Sequence, residues 1–229
     1  MATKQNQQPE EVQVSKSEQF VENNGKNILY SVCAVIVVVA CFFGIRMCND
    51  SNNEVAAKSE ALYQAQFDFE AGNYSAALEN FQSVINDFGS TKSGNLAKAY
   101  AGLCQKNLGD YSAAIKYLED YNGEDNIIAP AMLSALGDCY VELETPDYAA
   151  AAKAFEKAAS LANNAQFSPL YLFKAGLAYE AKSDNAKALK AYETIKTKWA
   201  DSELANTIDK YIVRVKQGSN IRSMSINVK

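Results

Sequence analysis

Two adjacent carboxylate pairs, Glu119-Asp120 and Glu124-Asp125, and five cysteines at positions 33, 41, 48, 104 and 139 are the residues here whose types could do chemistry. Paired carboxylates can move protons or hold a cation, and thiols can attack, ligate zinc or form disulfides. Their spacing argues against all of these. The carboxylate pairs fall at predicted helix ends and turns, where capping and solvation account for them. No two cysteines make a CxxC pair, so neither a zinc nor a redox framework is indicated. Histidine is absent from all 229 residues, which removes the commonest general base and the commonest metal ligand. Neither a Gly-rich phosphate loop nor a nucleophile elbow is present. The reading is a non-enzyme with no catalytic residue, metal or cofactor.

The elements that would carry such residues repeat. Gly102…Gly109-Asp110-Tyr111…Ala114-Ile115…Leu118 returns as Leu136-Gly137…Tyr140…Tyr148…Ala151…Phe155…Ala158. Fainter copies are Gly72-Asn73-Tyr74…Ala77-Leu78…Phe81 and Gly176…Tyr179…Ala188-Leu189…Tyr192. A unit of this size cannot bury its own apolar face, so the copies must stack as a solenoid. The helical period predicts pairs at 54–71 with 74–88, 95–108 with 111–121, 130–143 with 147–162, and 169–182 with 185–198, then a cap at 201–216. Glu144-Thr145-Pro146-Asp147 makes the third turn two residues longer. Gly102, Gly137 and Gly176 sit inside first helices, where glycine costs about 1 kcal/mol against alanine. That cost is tolerable where a partner helix comes very close. Ala77, Ala114, Ala151 and Ala188 answer on the second helices, and Phe81, Leu118, Phe155 and Tyr192 fill the layer. Cys104 and Cys139 hold one position in successive repeats. Stacked helices stand about 9–10 Å apart, too far for a disulfide, so both read as small core fillers.

Ahead of the repeats, Asn27–Ile45 carries no charged side chain, and 28–45 is dominated by Val, Ile, Ala, Cys and Phe. At 1.5 Å per residue that run extends about 28 Å, close to a bilayer's hydrocarbon thickness. Lys26 and Arg46 bracket it as snorkelling anchors. A single transmembrane helix at 28–46 follows, in contact with lipid through 28–45. An alternative stays open: Val38-Val39-Ala40-Cys41 resembles a lipobox, which would make the protein a lipidated envelope-assembly or cell-wall factor. Phe42-Phe43-Gly44-Ile45 continue the apolar run past that cysteine. Two positive residues on each side, Lys16 and Lys26 against Arg46 and Lys58, leave orientation undecided by charge. The expected organisation is a polar tail at 1–27, the span at 28–46, an all-α solenoid at 54–216 and a flexible tail at 217–229. A net charge of −5 with no basic stripe argues against a nucleic-acid partner.

The large and small residues of these copies, over about 54–200, resemble the tetratricopeptide repeat family, at spacings of 35–39 rather than a strict 34. The tryptophan-like first position is missing, and Ala65 stands where the first repeat should have glycine. The resemblance implies a concave groove lined by first helices: Leu62, Gln66 and Phe69; Ala99, Leu103 and Lys106; Ser134, Asp138 and Glu142; Phe173, Leu177 and Glu180. Only Lys106 and Asn107 match the types of the family's carboxylate clamp, so Phe173 and Leu177 suggest an apolar anchor for an extended or helical segment instead. One span, with Phe20-Val21-Glu22-Asn23-Asn24-Gly25-Lys26 before it and divergent repeats after it, is similar to the bacterial ancillary subunit of the Sec translocon. That similarity implies a single-pass scaffold in the bacterial inner membrane. Its repeats would be periplasmic and would bind the translocon and envelope chaperones or clients.

Overall fold

The computed structural model describes residues 34–47 and 60–226, which belong to two separate compact units. Every regular element among them is helical. In the first unit, residues 34–47 form helix α1, which continues past Cys41 and exposes Val35, Ile36, Val38, Phe42, Phe43 and Ile45. Among the described residues no helix is long and apolar enough to cross a membrane. Of the expected span 28–46, residues 28–33 lie outside the described residues, as do the polar tail at 1–27 and the start of the first predicted repeat helix at 54–59.

The second unit is the predicted solenoid. Its helices are α2 (Glu60–Glu70), α3 (Tyr74–Phe88), α4 (Lys92–Leu108), α5 (Tyr111–Asp120), α6 (Ile128–Val141), α7 (Tyr148–Ala162), α8 (Ser168–Ala181), α9 (Asn185–Lys198) and α10 (Asp209–Ile226), with a 3-10 turn at Glu203–Asn206 before the last. Each helix packs chiefly on its neighbours in sequence, as expected of stacked hairpins.

Local chemistry explains the boundaries. Gly109 has φ +84°, and Asp110 N–H returns to the Gln105 carbonyl at 3.0 Å, a left-handed stop that favours glycine. Asp110 then caps α5 by accepting from Ala113 N–H at 2.9 Å, and Asp184 caps α9 from Lys187 N–H in the same way. Asp147 caps α7 at the end of the longer turn, where its own N–H reaches the Tyr140 carbonyl. Helix α4 starts three residues earlier than its apolar period indicates. Thr91 accepts from Gly94 N–H at 2.9 Å and so supplies a cap there. At the other end, α10 stays helical to Ile226, across ten residues expected to begin a flexible tail. Gly218 is the one glycine in that stretch, and no proline interrupts it.

Close helix approach accounts for the interior glycines. A Cβ built on Gly102, Gly137 or Gly176 would lie 2.7, 2.6 or 2.2 Å from Leu118, Phe155 or Tyr192 respectively. The second-helix residues Ala77, Ala114, Ala151 and Ala188 are fully buried, as are Phe81 and Tyr192. Cys104 and Cys139 are buried free thiols.

Candidate functional site

The groove positions divide by depth. In the first three repeats the first member of each triplet is core: Leu62 packs with Ala77 and Phe81, while Ala99 and Ser134 are buried on their own helices. Phe69 leans edge-on against Tyr74 and Tyr100, with ring centres 5.5 and 5.2 Å away, and so belongs to the same cluster. Gln66 is half-buried, and Leu103 packs against the cluster around Ala114 and Leu118.

Four of the expected residues converge. Lys106, Asp138, Glu142 and Leu177 line one open pocket of about 580 Å³ formed by α4, α6 and α8. Tyr111 and Tyr148, the first residues of α5 and α7, help to close it, and Val141, Phe155 and Ala178 give it an apolar lining. The polar residues are linked to one another. Lys174 Nζ donates to both carboxylate oxygens of Asp138, at 2.9 and 3.0 Å, and to Ser134 Oγ at 3.2 Å. Lys106 Nζ stands 3.6 Å from the same carboxylate. Lys174 also sits 5.4 Å from the centre of the Phe155 ring, a cation–π distance. One aspartate on α6 thus ties together cations on α4 and α8.

The expected Phe173–Leu177 anchor does not form as a unit. Leu177 opens into the pocket and is exposed. Phe173 is half-buried and faces the other way, edge-on to Tyr211 of α10 at 4.8 Å and tilted against Tyr192 at 6.0 Å. Glu180 is likewise engaged by the cap. It accepts from Arg214 Nε and Nη2, at 3.1 and 2.7 Å, and from the Tyr192 hydroxyl. The reason is packing: α10 lies on this side of the last pair, where a further repeat would otherwise stand. Lys174 was missed in the sequence. Its one available signal is register, since it directly follows Phe173.

The electrostatics fit a recognition surface. Lys106 and Lys174 balance Asp138 and Glu142, so the pocket carries no net charge. Burial pushes the Cys104 thiol to about 12 and the Cys139 thiol to about 11, which leaves both protonated and unreactive at neutral pH. Among the described residues, no three His, Cys, Asp or Glu side chains are grouped to hold a metal ion.

A model of the tetratricopeptide repeat-like domain matches residues 18–219. Among solved structures, the chain is similar to nearly identical TPR-like repeats of a kinesin light chain from Podosopora anserina, at 13% identity and a TM-score of 0.54, over 73% of this chain and 89% of that one. It is also similar to the crystal structure of MamA, at 16% identity and a TM-score of 0.47, over 70% of this chain and 96% of that one. No curated protein matches the sequence.

Proposed function

Because the chain belongs to the tetratricopeptide repeat-like family, we propose that it is a membrane-tethered scaffold that grips a segment of a partner protein in the groove of α4, α6 and α8. Repeats of this kind bind proteins. The observation that carries the reading is the pocket of about 580 Å³. Its exposed Leu177, its apolar patch of Val141, Phe155 and Ala178 and the polar groups around them suit a peptide segment with one or two apolar anchors and polar flanks.

Tethering is the finer part of the reading. The all-round apolar surface of α1 supports it, because valine, isoleucine and phenylalanine are exposed on every side of that helix. Water disfavours such a surface by about 25 cal/mol per Å², whereas lipid accepts it. With the apolar residues from 28 onward, α1 would complete a single span of the bacterial inner membrane, the repeats lying in the periplasm. The architecture makes the Sec translocon and envelope chaperones or clients the partners to test first.

The test places a photo-crosslinking residue at Leu177 and, separately, at Glu79 in full-length protein in cells. Adducts with translocon or chaperone components from position 177, absent from position 79, are the expected result. Equal adducts from both positions would overturn the groove, and release of the chain from membranes by alkaline carbonate would overturn the tether.

A further inference from the structure

Tyr63 and Phe67 of α2 are 64% and 66% exposed, far more open than Phe167 at 37%, the other exposed large aromatic among the described residues of the solenoid. Repeat register shows why. Ala65 corresponds to Gly102, Gly137 and Gly176, so Tyr63 corresponds to Tyr100, Ala135 and Lys174, and Phe67 to Cys104, Cys139 and Ala178. In the later repeats these are the seats on which the preceding pair packs. Tyr100 stacks on Phe81 with ring centres 5.1 Å apart, Lys174 covers Phe155, and Cys104, Cys139 and Ala178 are buried. The exposed face of α2 therefore continues an interface already built three times in this molecule, and among the described residues no helix covers it.

Charge selects the occupant. Residues 60–91 contain Glu60, Asp68, Glu70, Glu79 and Asp87 and no lysine or arginine. Glu70 lies on the same helical stripe as Tyr63 and Phe67, at i+7 and i+3. A second copy docked through this face would bring two acidic surfaces together, each with Glu70 on the contact stripe, a like-charge arrangement that costs binding. The preceding residues 48–59 offer Val55 as their one large aliphatic side chain, too little for two aromatic seats. We propose that the outer face of α2 is a second docking surface, taking a basic amphipathic helix of a partner protein. It is independent of the groove and of the tether.

The probe is a helical peptide of about 17 residues with leucine at i, i+4, i+7 and i+11 and lysine along the flanks, beside a counterpart with glutamate for lysine. Both are titrated by fluorescence anisotropy onto full-length protein in neutral detergent, with empty micelles subtracted. The basic peptide should bind and the acidic one should not. Tyr63→Ser with Phe67→Ser should weaken binding by about tenfold or more, as loss of two aromatic anchors does. Glu70→Gln or added salt should weaken it less. Leu177→Lys in the groove should leave it unchanged. Unaltered circular dichroism and melting of the Tyr63/Phe67 variant would show that the fold is intact. Equal binding of the two peptides, or wild-type binding by the Tyr63/Phe67 variant, would overturn the proposal. So would concentration-dependent dimerisation lost in that variant, or crosslinks from position 67 to residues 48–59 of the same chain.

Discussion

Lys174 and Asp138 join two first helices that are not neighbours in sequence, the ammonium of α8 donating to both carboxylate oxygens of α6. Lys106 of α4 approaches the same carboxylate, so the groove is cross-braced over three repeats by one acidic residue. Each side chain of the Lys174–Asp138 pair keeps about a third of its surface in water, which limits the worth of the pair. A double-mutant cycle of Asp138→Ala with Lys174→Ala should return a coupling of about 1 kcal/mol by urea unfolding. A coupling of zero would mean the brace is dissolved by solvent.

Gly176→Ala should destabilise the protein although alanine is the better helix former. The added methyl would meet the buried Tyr192 ring, and that ring is pinned by Phe173, Tyr211 and its bond to Glu180. Overpacking costs about 1–3 kcal/mol against a propensity gain of about 1, and the 2.2 Å approach to a pinned ring puts the cost at the upper end, so the net loss should approach about 2 kcal/mol. Thermal unfolding should fall by several degrees. A rise in Tm would show that the layer between α8 and α9 yields.

Acid should loosen the start of α6 first. Burial alone would raise the Asp125 carboxyl, but backbone N–H groups including those of Ile127, Ile128 and Ala129 outweigh it and hold the group below its ordinary value of 3.8. A carboxyl whose folded value is depressed stabilises the fold above its unfolded value and loses that contribution as pH falls through the folded one. Amide exchange at 127–129 should therefore accelerate below about pH 4, relative to the rest of α6. Asp125→Ala should produce the same acceleration at neutral pH, and exchange indifferent to both changes would show that Asp125 does not hold the start of α6.

Neither core thiol should react in the folded protein. With Cys104 raised to about 12 and Cys139 to about 11, both fully covered, iodoacetamide at pH 8 should leave their peptides unmodified until denaturant is added. Mass spectrometry of the native digest gives the readout. Rapid native labelling of either would show that the repeats open locally.

The repeat is legible in the sequence because each unit writes the same physical requirement. A glycine at 102, 137 and 176 and a large residue at 118, 155 and 192 are one contact seen three times, and turn residues such as Gly109-Asp110 state where helices stop. Boundaries were less legible where a cap, rather than the apolar period, decides them, as Thr91 does for α4. The groove was half legible. Lys106, Asp138, Glu142 and Leu177 meet around one pocket, but Leu62 and Phe69 went into the core and Phe173 under Tyr211.

Spacing alone thus determined the all-helical repeat, its pairing and its small-against-large layers, because those depend on neighbours 10–20 residues away. Only the tertiary structure decided which polar side chains share the groove. Lys174, Asp138 and Lys106 lie some 30–70 residues apart and meet through the superhelical stacking of three units. The same stacking decided that Tyr63 and Phe67 stay open: their counterparts are covered by a preceding repeat, and no described repeat precedes α2.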